Sequence, residues 1–142
     1  DAARRLRLAR DRWLLRAREY QAYSRQIADG VDMLGRLRSV VDDIRELAGP
    51  SRRALLRAQL RVDEAGLLFS RVTPPDDLQP VHALFVSAVQ LAANACRQRL
   101  NAIATGDDRI AWSASSAAAG SLMLLDRAQK DLTRWLKPPT LP

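Results

Sequence analysis

The chain is poor in several residue types, and each scarcity excludes a class of protein. One cysteine, Cys96, cannot form an internal disulfide framework. Six glycines and seven prolines are too few for a collagen-like or disordered chain, whereas 47% apolar residues in a chain of 142 suffice for one domain with its own core. One long uncharged run begins at Ile110, is interrupted by Ser, Gly and Trp, and is ended by Asp126. It is too short and too polar to span a bilayer.

Acidic residues are also in the minority. The sequence has 23 Lys and Arg residues against 16 Asp and Glu residues, which gives a net charge of +7. Residues 1–30 contain eight Arg and four acids, and residues 51–73 contain five Arg and two acids. The remaining stretches are near neutral, so the basic character is confined to two segments.

A continuous apolar stripe marks the first third of the chain and has the spacing of a helix. Apolar or small residues recur at intervals of three or four, which is typical of one coiled-coil-like seam. The stripe stays in phase across Gly30 and Gly35. It therefore predicts a single helix over about residues 2–48, and a kink near Gly30 is left open. The seam consists of Leu6, Ala9, Trp13, Ala17, Tyr20, Tyr23, Ile27, Val31, Leu34, Leu37, Val41, Ile44 and Ala48.

Three more helices are predicted at about residues 51–71, 76–105 and 108–136, separated by turns that contain proline or glycine. No stretch has the alternation of a strand. The predicted fold class is all-α, an antiparallel four-helix bundle that forms one domain over residues 1–142. At the rise of a helix, the first would be roughly 70 Å long and the others roughly 30–45 Å. The start of the first helix must then overhang, or a partner chain must cover it.

His82, the only histidine, is the first candidate for chemistry. The string HALFVSA resembles the phosphorylation site of histidine phosphotransfer domains, in which His82, Leu84 and Ala88 match the pattern. Phe85 and Val86 stand where that family has lysine and glycine. A metal site would need further ligands one helical turn away, and that turn supplies none. We favour a half-buried histidine near a helix start, and keep a degenerate phosphotransfer domain as an alternative.

Three acidic pairs could suggest catalytic carboxylates: Asp42-Asp43, Asp76-Asp77 and Asp107-Asp108. Adjacent residues on a helix point about 100° apart, so no pair forms a facing dyad. Two of the pairs stand where helix N-termini favour acidic side chains. A structural role is the preferred interpretation for all three.

The segment SASSAAAGS, residues 113–121, predicts a close helix crossing against bulky aromatic neighbours, and a pocket wall is the alternative. We interpret Cys96 as a small buried hydrophobic residue. The tryptophans fall on or beside seams and are interpreted as core or interface anchors rather than ligand stackers. These tryptophans are Trp13, Trp112 and Trp135.

Two arginine clusters are the candidate surfaces for an anion or a partner. The first comprises Arg4, Arg5, Arg7, Arg10 and Arg12. It is dense enough to contact phosphates of a nucleic acid or an anionic membrane surface, although the rest of this helix pairs arginines with aspartates as solvated faces do. The second comprises Arg52, Arg53 and Arg57, where cations oppose the helix dipole and could receive an acidic partner or anion. Antiparallel packing would place the two clusters at opposite ends.

Residues 74–132 resemble helical domains of uncharacterised bacterial exported or lipid-anchored proteins. The segments that carry the resemblance are PPDDLQPVH, IATGDD and LLDRAQKDL. The resemblance implies an extracytoplasmic location in the bacterial cell envelope, and it supplies no catalytic residues. The long arginine-rich first helix and the positive charge depart from the pattern.

These observations favour a non-enzymatic helical interaction module without a cofactor or metal. Its expected partner is a protein or a second copy of the chain, docked on the overhanging part of the first helix. The alternative is a binder of nucleic acid or anionic membranes that acts through Arg4–Arg12.

Overall fold

The computed structural model describes residues 1–140, and every regular element among them is helical. This confirms the all-α prediction. The helices are α1 (Ala2–Arg36), α2 (Arg38–Arg45), α3 (Arg52–Ser70), α4 (Gln79–Thr105) and α5 (Asp108–Trp135), with a 3-10 turn at Asp76–Leu78 before α4. The last three predicted helices agree with α3, α4 and α5 to within three residues at each end. None of these helices is both long enough and apolar enough to cross a membrane.

The prediction of one unbroken helix over residues 2–48 is wrong. The helix is interrupted at Leu37, whose N–H is shared between the carbonyls of Met33 and Leu34, each at 3.2 Å. Leu37 is neither glycine nor proline, so the cause lies in packing: α1 packs on α3, whereas α2 packs mainly on α5. After α2, Leu47 adopts a left-handed conformation with φ of 60° and ends this part of the chain before Gly49.

At Gly30, where a kink was considered, α1 continues without interruption. Gly30 serves a close approach between helices. A Cβ added there would lie 2.9 Å from Cε2 of Phe69 on α3, which is closer than packed carbon atoms come. Phe69 is in turn stacked on Phe85 of α4, with ring centroids 5.3 Å apart. Gly30 thus lets three helices meet around one aromatic side chain.

Buried residues from all five helices form one hydrophobic cluster. The predicted seam is buried from Tyr20 to Ile44 except at half-buried Val31, and it remains in phase across the interruption at Leu37, whereas Ala48 at its end is exposed. On α3, the apolar residues spaced three or four apart are also buried, namely Leu55, Ala58, Val62, Ala65 and Phe69. Cys96 is fully buried as predicted, and burial raises the pKa of its thiol to about 11.

The small-residue segment of α5 forms a close crossing, but its neighbour is not an aromatic side chain. It packs on alanine-rich α4, where the hydroxyl of Ser121 donates to the carbonyl of Ala88 at 2.7 Å. A Cβ on Gly120 would lie 3.1 Å from Leu91. Ser115 likewise donates to the carbonyl of Arg45 at 2.6 Å, which ties α5 to the end of α2. Small residues on both α4 and α5 allow the close crossing of these two helices.

Candidate partner-binding end of the molecule

The first eleven residues of α1, Ala2–Arg12, extend past the packed body and are called the projecting segment here. None of them is buried, and only Leu6 and Ala9 are half-buried. Asp1 caps the segment by accepting from the N–H of Arg4 at 2.8 Å. Its link to the body is Arg10, whose Nε–H donates to the carbonyl of Pro139 at 3.3 Å. The overhang expected from the helix lengths is therefore present in the structure.

A cavity of about 900 Å³ lies where the projecting segment joins the body, and it opens to solvent. We call it the end cavity. It lies between α1, the end of α5 with the residues that follow it, and Asp77 in the turn before α4. The apolar part of its lining consists of Ala9, Trp13, Leu15, Tyr20, Trp135 and Pro139. This volume falls within the range of about 300–1,000 Å³ that is usual for ligand pockets.

The aromatic wall of the end cavity is held by hydrogen bonds between elements that are distant in sequence. Trp13 donates its indole N–H to the carbonyl of Trp135 at 2.7 Å, which satisfies a carbonyl at the end of α5. The rings of Tyr20 and Trp135 meet edge to face, with centroids 5.4 Å apart. Tyr20 donates its hydroxyl to Asp77 at 2.5 Å. These contacts join the wall to α1, to the end of α5 and to Asp77.

Asp77 is the one acidic residue of the lining, and neighbours stabilise its charge. Arg16 forms an ion pair with it at 2.9 Å. The hydrogen bond from Tyr20, assisted by Arg16, holds the pKa of Asp77 below its ordinary value. Burial, followed by the bond to Asp77, raises the pKa of Tyr20 to about 12. Asp77 thus stays ionised. Because it is already paired with Arg16 and Tyr20, it has little capacity to bind a cationic ligand.

The charged lining is otherwise cationic. It consists of Arg12, Arg16, Arg134 and Lys137 against Asp77, so four positive charges minus one negative charge leave +3. Arg134 approaches Asp131 only at 3.9 Å. Among residues 1–140, Arg12 and Lys137 form no ion pair. The end cavity is therefore suited to an anionic group beside an apolar one.

The first arginine cluster lies on the projecting segment, and all five side chains are exposed. Arg12 is the member that lines the end cavity, and the others continue away from it. The second cluster, Arg52, Arg53 and Arg57, is exposed on the first turns of α3. It lies at the other end of the molecule, where α2 ends beside α5. The structure does not bring the two clusters together.

His82 is half-buried and belongs to the core contacts of α4. Its Nδ1 lies 2.8 Å from the hydroxyl of Tyr23 on α1, and its ring meets that of Phe69 on α3 edge to face, with centroids 6.1 Å apart. Burial lowers the pKa of His82 below its ordinary value of 6.5, and the backbone of Phe69 opposes the shift. The side chain links three helices and is largely neutral at pH 7.

Two of the three acidic pairs contribute a structural contact, and the third joins the lining of the end cavity. Asp107 caps α5 by accepting from the N–H of Arg109 at 2.9 Å. Asp42 pairs with Arg45 at 2.7 Å. Asp77 differs, since it joins the lining of the end cavity rather than capping a helix. Within residues 1–140, no group of three or more His, Cys, Asp or Glu residues could hold a metal ion.

Sequence reasoning missed the partnership of Trp13, Tyr20 and Trp135. The tryptophans were expected in a core or an interface, but Trp13 is half-buried, Trp135 is 37% exposed and Trp112 is 62% exposed. Trp13 and Trp135 fall at opposite termini of the chain. The one signal that could have paired them is the predicted antiparallel arrangement of the first and last helices, which would bring these termini to one end.

Comparisons with protein-family models, with curated proteins and with solved structures found no match. The resemblance of residues 74–132 to bacterial exported proteins therefore stays a prediction.

Proposed function

We propose that the chain is a non-enzymatic helical interaction module, and that its partner binds the projecting segment and the end cavity. The observation that carries the proposal is the overhang of α1. An apolar stripe with Leu6, Ala9 and Trp13 continues beyond the helices that bury its other half. An exposed stripe beside a preformed pocket is typical of an interaction site.

The arrangement of the helices supports this role as a scaffold. We interpret the molecule as an up-and-down four-helix bundle in which α1 and α2 together form the first arm. Adjacent contacts such as Phe69 with Phe85 and Ser121 with Ala88 fit antiparallel neighbours. A rigid body of this kind fixes the end cavity in one shape, which favours recognition.

A non-enzymatic role is supported by the state of the two most reactive side chains. His82 is engaged with Tyr23, and burial raises the pKa of Cys96 to about 11, so its nucleophilic thiolate is disfavoured. The degenerate phosphotransfer alternative also gains no support from a half-buried histidine. It would require phosphate transfer to the protein that is lost on His82→Gln.

The test of the proposed function is site-specific photo-crosslinking in cells that express the chain. A crosslinker at Leu8, which is 51% exposed on the projecting segment, should give one saturable protein adduct. The matched control is a crosslinker at Met123 on α5, which is 72% exposed and should give no adduct. Mass spectrometry then identifies either a second copy of the chain or another protein. Equal labelling from both positions, or none from Leu8, contradicts the proposal.

Nucleic-acid or anionic-membrane binding is the second candidate, favoured by the five exposed arginines of the projecting segment. Its test is a salt titration with nonspecific duplex DNA and, separately, with vesicles that contain anionic lipid. A binder of this kind loses affinity steeply as salt rises, because counterions compete for the arginines. Absence of binding to both at low salt removes this candidate.

A further inference from the structure

We propose that the end cavity and the projecting segment together bind an acidic peptide segment that carries a bulky apolar side chain. This inference rests on the proposed function and specifies the chemistry of the partner. The apolar side chain enters the end cavity against Trp13 and Trp135. The carboxylates of the same segment lie along the arginines of the projecting segment.

The apolar lining of the end cavity is the reason for proposing an apolar side chain in the bound peptide. Trp13, Trp135 and Leu15 supply the accessible apolar surface of the end cavity, and Leu15 is 85% exposed. A leucine so exposed costs the free chain hydrophobic free energy that a bound apolar group would recover. Large apolar anchors that fill preformed pockets carry much of the affinity in peptide recognition.

The positive charge of the end cavity is the reason for proposing carboxylates in the bound peptide. The lining has a net charge of +3, and Asp77 is already engaged by Arg16 and Tyr20. Guanidinium groups bind carboxylates in a bidentate geometry that ammonium groups cannot match. A second copy of this basic chain would bring further positive charge to the same end, since the chain carries +7. An acidic partner is favoured over self-association for this reason.

The extent of the arginine cluster favours a peptide over a small anion. From Arg12 to Arg4 the helix extends about 12 Å beyond the end cavity. A small carboxylate in the cavity would leave these arginines unused, whereas an acidic segment contacts several of them. Single-stranded nucleic acid requires open aromatic faces for stacking. Of the aromatic side chains that line the end cavity, Tyr20 is only 2% exposed and Trp135 is 37% exposed, so the cavity offers no row of open faces for successive bases.

The test is fluorescence anisotropy on the full chain with three labelled probes. The first is a short peptide of glutamate and aspartate with a central Phe-Leu pair, and the second has serines in place of that pair. The third is an oligothymidylate of the same charge. We expect the first probe to bind at least about tenfold more tightly than either of the others.

Matched variants locate the binding. Leu15→Ser should weaken the first peptide about tenfold, while Leu14→Ser should not, because Leu14 is 65% exposed but does not line the end cavity. Arg12→Glu should weaken it by a similar factor, while Arg57→Glu makes the same charge change at the other end without effect. All four side chains are exposed, so the variants keep the fold.

Each other outcome overturns the inference. Equal affinity for the two peptides, or equal losses in the matched variants, removes the end cavity as the site. Tighter binding of the oligothymidylate replaces the peptide with a nucleic acid. If no peptide binds while Leu8 crosslinks to a protein, this inference fails and the proposed function stands. If Leu8 crosslinks to nothing, the proposed function itself fails.

Discussion

The two halves of α1 carry the same apolar stripe in different surroundings. From Tyr20 to Leu34 the stripe is buried against α3 and α4, with Ile27 only 1% exposed. From Leu6 to Ala17 the stripe is at most half-buried, and Leu14 and Leu15 beside it are open to solvent. Periodicity therefore identifies the face that a helix would bury. Whether that face is buried depends on how far its neighbours extend.

Core truncation in the two halves should give the largest contrast. Ile27→Ala removes a fully buried side chain and should destabilise the chain by about 2–5 kcal/mol, because it leaves a cavity between packed helices. Leu14→Ala removes an exposed side chain and should change the free energy of unfolding by less than about 0.5 kcal/mol. Urea denaturation followed by circular dichroism measures both. Similar values for the two variants would refute the division of α1 into two environments.

Alanine substitutions at two glycines of α1 should change the free energy of unfolding in opposite directions. Gly30→Ala places a Cβ against Phe69, whose ring is held by Phe85 and His82, and should cost about 1–2 kcal/mol. Gly35→Ala meets no atom within 4 Å and should stabilise the helix by about 0.5–1 kcal/mol. Thermal unfolding distinguishes them. A stabilising Gly30→Ala would mean that the ring of Phe69 can move aside.

A pH titration should report on the buried half through His82. Its pKa is lowered in the folded state, so the unfolded chain takes up the proton first as the pH falls. Stability is then fully present above about pH 6.5 and declines below it, by no more than about 1.4 kcal/mol per pH unit. His82→Gln should remove this decline between about pH 7 and about pH 5. If the free energy of unfolding of the original chain and of His82→Gln changed with pH in the same way, the pH dependence could not be assigned to His82. Asp77, with a lowered pKa of its own, acts only in more acidic solution.

The helical content was predictable because local signals were strong. Ser51 and Asp107 cap α3 and α5 as their sequence positions indicate, and Gly106 adopts the left-handed conformation expected at a helix end. The interruption at Leu37 was not predictable. No local signal marks it, since it arises from the separate packing of α1 and α2.

Only the cationic part of the candidate site could be predicted. Arg12 was identified from the density of arginines, which is a local property of the sequence. Asp77 was interpreted as a helix-start acid, and its pairing with Arg16 and Tyr20 depends on contacts between residues about sixty positions apart. Phe85 was considered only as a departure from the phosphotransfer pattern, although it is fully buried. Long-range contacts of this kind have no counterpart in helical periodicity.

The smallest effect on stability is expected from removing the projecting segment. This deletion tests whether the exposed half of α1 contributes to the stability of the fold. Deletion of residues 2–12 keeps Asp1 as a cap and removes no buried residue. The free energy of unfolding should change by less than about 0.5 kcal/mol, because the hydrogen bond from Arg10 to Pro139 is exposed. In the intact chain, hydrogen exchange should be fast at residues 2–12 and slow at residues 20–34, since an unsupported helical end frays. A loss above about 1 kcal/mol that grows with protein concentration would show that a second copy covers the segment, because association stabilises the folded chain by mass action.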